Sequence, residues 1–136
     1  INMQTGSYHA VKIIKNKQEY TIQGLVEIKI LQKLHEDSGR SEFEKQHLIK
    51  MEEYFVFQGY LCIVFELLDK SLYDIVSKTE RGLPLDQVRE YTRQILESLV
   101  SCKDVNLIHC DLKPENILVE DNGLKLKLID FGSAAF

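Results

Sequence analysis

The chain has 136 residues, 44% of them hydrophobic and 28% charged, with a formal net charge of −4. That length suffices for one domain with a real core, and the acidic balance gives no bulk attraction to nucleic acid or to an anionic membrane. The longest apolar runs are far too short to span a bilayer, and no secretory signal opens the chain.

Taken in chain order, the first predicted element is a strand over residues 8–15, Y-H-A-V-K-I-I-K, with Lys12 in its middle. A helix follows over residues 17–35. Tyr20, Gly24, Glu27, Ile28, Leu31 and Leu34 share one face at helical spacing, so Glu27 is a carboxylate set in an otherwise apolar stripe. His35 at its end suits the helix dipole. Residues 36–45 are polar and read as a loop. Residues 48–57 and Tyr60–Glu66 read as two strands joined across Gln58-Gly59. The second is apolar on both faces, which places it centrally in a sheet. Burying an unpaired ammonium is costly, so Lys12 calls for a partner, and Glu27 is the candidate.

The composition then turns helical. Ser71 with Asp74 three residues on forms a capping-box start for a short helix to Lys78. Pro84 suits the first turn of a longer helix reaching about Asp104, with Val88, Tyr91, Ile95 and Leu99 on its buried stripe. Residues 67–70 read as a hinge between a strand-rich and a helical half. Cys62, Cys102 and Cys110 are odd in number and lack Cys-x-x-Cys spacing, which fits a reduced intracellular compartment, cytoplasmic or nuclear. His9, His35 and His47 have no partners evident in sequence and default to the surface.

Residues 107–132 carry two charged clusters beside short apolar runs: His109, Asp111, Lys113 and Asn116, then Asp130, Phe131 and Gly132. Between them lie Ile117-Leu118-Val119, the turn Asp121-Asn122-Gly123, and the alternation from Leu124 to Leu128. Asn-Gly favours a tight hairpin, and a hairpin brings its ends together. Asn116 and Asp130 are therefore expected side by side, an amide and a carboxylate of the kind that hold Mg²⁺ with substrate phosphates.

The strings H-C-D-L-K-P-E-N and D-F-G, with A-V-K on a strand and a helical glutamate fifteen residues later, resemble the catalytic core of a protein kinase. The order and spacing match from Tyr8 to Gly132. V-K-I-I-K-N-K, L-C-I-V-F-E, S-L-Y-D-I and H-C-D-L-K-P-E-N-I-L resemble the DYRK group, the dual-specificity tyrosine-regulated kinases of the CMGC class. The resemblance implies an α+β, two-lobed kinase fold in partial form: residues 1–68 as small lobe and hinge start, 69–136 as the beginning of the large lobe.

It also implies roles. Asp111 would be the catalytic base, and Lys113 would meet the charge of the transferred phosphate. Asn116 and Asp130 would hold Mg²⁺. Lys12, paired with Glu27, would hold the ATP phosphates. Ala10 and Leu118 would be the ceiling and floor of the adenine slot, with Phe65 behind it and the backbone of Glu66, Leu67 and Leu68 along its edge. His109, Phe131, Leu31 and Met51 would form an apolar spine. Ser71 stands near a position where many relatives carry Asp or Asn for the ribose, and serine weakens that assignment. Cys110 replaces an arginine that usually docks a phosphorylated activation loop, so activation would not run through that pairing.

The implied activity is transfer of the ATP γ-phosphate to Ser/Thr hydroxyls of a protein substrate, with tyrosine autophosphorylation as in DYRK relatives. The rival reading is a truncated, non-catalytic chain that binds or regulates. No G-x-G-x-x-G occurs, nor any A-P-E stretch, so the chain corresponds to about half a catalytic domain. The isolated 136 residues are expected to be poorly stable and nearly inactive, because the long helix would expose its apolar stripe.

Overall fold

A computed structural model describes residues 1–36, 46–120 and 123–136. The predicted loop over 36–45 thus lies outside the described residues except for Glu36, as do Asp121 and Asn122 of the predicted turn. In the first half, β1 (His9–Ile13), β2 (Met51–Phe57) and β3 (Tyr60–Glu66) form an antiparallel sheet of order β1-β3-β2, and α1 (Gln18–His35) lies against it. β3 is central, as its two apolar faces require: Leu61, Cys62, Ile63 and Val64 are all buried. Gln58 and Gly59 join β2 to β3 with φ of 49° and 82°. Positive φ at both loop residues matches the right-handed twist of the flanking strands.

α1 lies on the sheet through Gly24, Ile28 and Leu31. A Cβ at Gly24 would sit 3.0 Å from Leu61 Cδ2 and 3.2 Å from Ile14 Cγ1, so the missing side chain sets how closely helix and sheet approach. Tyr20 is half-exposed, whereas Ile30, off the predicted face, is buried. β1 is shorter than the predicted 8–15. β2 begins at Met51 instead of residue 48, for a physical reason. Leu48 and Ile49 turn their backbones to the second half: Leu48 bridges Leu128 in parallel, and Ile49 N–H donates to the Leu128 carbonyl at 3.1 Å.

The second half comprises α2 (Leu72–Ser77), α3 (Leu85–Asp104), a 3-10 turn at Pro114–Asn116, β4 (Ile117–Val119), β5 (Leu126–Leu128) and a 3-10 turn at Phe131–Ser133. The predicted capping box is present: Asp74 N–H donates to Ser71 Oγ, and the Asp74 carboxylate accepts from Ser71 N–H. β4 and β5 pair antiparallel as a two-stranded ribbon. Gly123, with φ of 69°, closes the turn by donating to the Glu120 carbonyl at 2.8 Å.

On α3, Tyr91 is buried and Ile95 and Leu99 pack partly into the core, but Val88 is 41% exposed and leaves the expected stripe. The inward face is instead Tyr91, Gln94, Ser98, Ser101 and Cys102. The rotation has a cause: Tyr91 donates its hydroxyl to the Gly123 carbonyl, and Gln94 bonds the Leu124 carbonyl and Leu126 N–H, so backbone groups at the ribbon draw this face inward. The main core cluster joins both halves, with Leu31 and Leu34 of α1 packed with Ile117, Leu126, Leu128 and Phe131. All three cysteines are free. Among the described residues no helix is long and apolar enough to cross a membrane.

Candidate active site

The sheet and the ribbon face each other across a cleft of about 330 Å³. Ala10 and Lys12 line it from β1, Phe65 and Glu66 from β3, Leu67 and Leu68 from the connection, and Asn116, Leu118 and Asp130 from the ribbon. Ala10 and Leu118 thus come from opposite walls, as expected. The Glu66 carboxylate is committed elsewhere: it accepts from Lys50 N–H and from Lys127 Nζ, each at 2.7 Å. Any contact Glu66 offers a ligand is therefore through its backbone.

Lys12 is the centre of charge. Its ammonium donates to Glu27 Oε1 at 2.8 Å, to Glu27 Oε2 at 2.9 Å and to Asp130 Oδ1 at 2.8 Å. β1 projects it into the cleft, while α1 brings Glu27 in from behind, only 2% exposed. Burial pushes the Glu27 carboxyl up, and the Lys12 ammonium pulls it only partly back. Burial also pushes Lys12 down, but the Asp130 and Glu27 carboxylates outweigh it and hold the ammonium above its ordinary value. Asp130 is raised by burial and lowered more by Lys12, ending below the usual carboxylate value.

The second group forms in the chain entering the ribbon. Asp111 Oδ2 lies 2.8 Å from Lys113 Nζ and accepts from Asn116 Nδ2 at 2.8 Å. Asn116 Nδ2 also donates to the Asp111 carbonyl at 2.9 Å, so its amide oxygen is the atom left for a cation. The hydrogen bond from Lys113, helped by Asn116, holds the Asp111 carboxyl below its usual value. Ile129 N–H donates to the Asn116 carbonyl at 2.9 Å, which sets Asn116 beside the residue preceding Asp130. Asp130 and Cys110 both adopt the left-handed region, with φ of 59° and 65°. Such a conformation costs a non-glycine residue about 1 kcal/mol, and it turns the chain at the two points where the carboxylates are presented.

His109 is structural, as expected. It is 3% exposed, packs edge-on to Phe131 at 4.9 Å, and bonds through Nε2 to the Ile129 carbonyl at 2.9 Å. A carbonyl only accepts, so Nε2 carries the hydrogen; Nδ1 accepts from Asp111 N–H at 3.3 Å. Both ring nitrogens are thus spent on backbone. Leu31 shares the core cluster with Phe131, and Met51 packs against it. Ser71 spends its hydroxyl on Asp74 at 2.6 Å, which agrees with the weakened ribose assignment.

Two residues escaped the sequence reading. His47, expected at the surface, is 2% exposed: Nδ1 bonds the Leu126 carbonyl at 2.9 Å, and Nε2 lies 3.2 Å from Glu97 Oε2. Nothing in the sequence signalled this, because its partners are a backbone carbonyl and a helix remote in sequence. Gln94 is equally buried against the ribbon. An amide inside an amphipathic stripe was an available signal.

The carboxyl shifts give a pH expectation. Asp111 and Asp130 ionise below the usual 3.8, so each adds native stability that is present above that range and lost as pH falls through the lowered value. Glu27 ionises above 4.5, so it favours the fold below that value and weighs against it as pH rises through its folded value. Carboxyl ¹³C NMR titration should place the first two midpoints under 3.8 and Glu27 over 4.5; the reverse order would contradict the assigned contacts.

A three-stranded antiparallel sheet with one helix, facing a helical half across a cleft that gathers a lysine, two carboxylates and an amide, is the two-lobed arrangement of a kinase domain. The protein kinase domain family matches residues 1–136, and the chain belongs to that family. It is 45% identical over 134 residues to the dual specificity protein kinase YAK1 homolog of Arabidopsis thaliana, covering 96% of this chain and 14% of that protein. It is 36% identical to dual specificity tyrosine-phosphorylation-regulated kinase 2 of Drosophila melanogaster, covering 100% of this chain and 19% of that one. A crystal structure of a kinase domain superposes with a TM-score of 0.89 at 28% identity, covering 98% of this chain and 46% of that chain. The chain therefore spans a minor part of its curated relatives' length, and its likeness among kinases is to the DYRK group, as the motifs implied.

Proposed function

We propose that this chain is the nucleotide-binding and catalytic part of a protein kinase that transfers the ATP γ-phosphate to Ser/Thr hydroxyls of protein substrates, with tyrosine autophosphorylation. The observation that carries this reading is Lys12, held between Glu27 and Asp130 at the mouth of an apolar slot. The coverage of 46% of a solved kinase-domain chain supports reading residues 1–68 as small lobe with hinge start and 69–136 as the beginning of the large lobe. The free cysteines and the protein kinase family support an intracellular setting, cytoplasmic or nuclear.

The residues fit ATP and Mg²⁺. The Asp130 carboxylate and the amide oxygen of Asn116 are hard oxygen donors at one end of the cleft, and the apolar walls at Ala10 and Leu118 suit a flat base. Bound Mg²⁺ would neutralise phosphate charge as transfer proceeds. The chain's own part is positional and electrostatic. Glu27 fixes the Lys12 ammonium, so a cation is pre-placed where phosphate oxygens gather. Asp111 stays ionised beside Lys113 and can accept the proton of an incoming hydroxyl, while Lys113 faces the developing charge.

The test is phosphate incorporation from γ-labelled ATP by the full-length chain, followed by identification of the modified residues. Phosphoserine and phosphothreonine on protein substrate, with phosphotyrosine confined to the kinase itself, are expected. Phosphotyrosine on substrate alone, or no incorporation, would contradict the reading.

A further inference from the structure

Among the described residues, β5 has a partner strand on one edge only. At Leu128 the other edge is closed by backbone, through the His47 carbonyl at 2.9 Å and Ile49 N–H at 3.1 Å. At Leu126 no backbone partner stands there among the described residues. Leu126 N–H instead donates to Gln94 Oε1 at 2.9 Å, and the Leu126 carbonyl accepts from the His47 ring at 2.9 Å. Gln94 Nε2 also donates to the Leu124 carbonyl at 2.9 Å and to Glu90 Oε1 at 2.7 Å. A primary amide offers the same donor and acceptor as a peptide group. By bonding the carbonyl of Leu124 and the N–H of Leu126, Gln94 repeats the pattern of a residue on a parallel neighbouring strand.

This amide is 2% exposed, and a buried amide is costly unless its bonds are made. An aliphatic residue would fill the same space, so packing alone does not call for glutamine. What glutamine adds is a fixed lateral position for β5. Two residues beyond β5 the chain enters the left-handed turn at Asp130, and one residue beyond it Ile129 N–H ties to Asn116. We infer that Gln94 is a positioning residue for the metal-holding pair, acting through the backbone of β5 to set where Asp130 and Asn116 present their oxygens. The inference rests on the proposed roles of those two residues.

The experiment measures Mn²⁺ affinity in the presence of ADP by electron paramagnetic resonance, alongside amide hydrogen exchange at Leu126, in the full-length chain. The variants are Gln94→Leu, Gln94→Glu, Ser98→Ala and Asp130→Asn. Ser98, fully buried on the same helix, donates its hydroxyl within α3 to the Ile95 carbonyl, so Ser98→Ala lowers stability without moving Mn²⁺ affinity. Gln94→Leu should speed exchange at Leu126 and weaken Mn²⁺ binding roughly 10-fold, the low end for groups that orient a metal ligand. Gln94→Glu sets a carboxylate against the Leu124 carbonyl and Glu90 and should weaken it likewise; if the leucine variant does not fold, this one decides. Parent-like Mn²⁺ affinity in the Gln94 variants, with Asp130→Asn defective, overturns the inference alone. Parent-like affinity in Asp130→Asn overturns the metal assignment beneath it.

Discussion

Asp111→Asn in the full-length chain lowers the rate of phosphate transfer by about 10²–10⁴-fold, the range for loss of a positioned general base, and leaves ATP affinity nearly unchanged. The substitution is close to isosteric, and the surrounding bonds explain why binding survives. Lys113 and Asn116 both meet Oδ2, and an asparagine can present an oxygen at the same place. What it lacks is the capacity to accept a proton near neutral pH. Asp111 has that capacity because its carboxyl, pushed below 3.8 by the hydrogen bond from Lys113, is ionised there. Steady-state rates and KM for ATP, measured together, check this outcome. An unchanged kcat would remove Asp111 from the chemistry, and a large rise in KM would assign it to binding instead.

Lys12→Met lowers transfer by at least roughly 100-fold, as expected when one pre-placed cation is removed from a developing charge. It also does something Asp111→Asn does not. Glu27 is left 2% exposed with the Lys12 ammonium gone, and a buried carboxylate without a partner takes up a proton more readily. Its ¹³C titration should therefore move further above 4.5, the direction in which burial already pushes it. Loss of transfer with no change in the Glu27 titration would mean that the pair does not exist in solution.

Much of this site was legible in the sequence because its chemistry restricts residue type and spacing. A lysine inside a strand needed a partner, and Glu27 was the one carboxylate on an apolar helix face; the contact at 2.8 Å bears that out. The second contact of Lys12, to Asp130, joins residues 118 apart in sequence and depends on how the two halves meet, which no local pattern encodes. The same limit applies to Val88. Periodicity defined a stripe on α3, but the backbone of the ribbon holds Gln94 inward, and Val88 is left exposed. His47 was missed for a related reason: its burial is compensated by a backbone carbonyl of β5, and backbone partners leave no trace in side-chain sequence.

The most direct measurement is a crystal structure of the full-length chain with Mg²⁺ and a non-hydrolysable ATP analogue. Phosphate oxygens are expected on Lys12 Nζ, metal on Asp130 and the amide oxygen of Asn116, the base between Ala10 and Leu118, and the Asp111 carboxylate open to the γ-phosphate. A nucleotide seated outside this cleft, or a metal held without Asp130 and Asn116, would contradict these assignments.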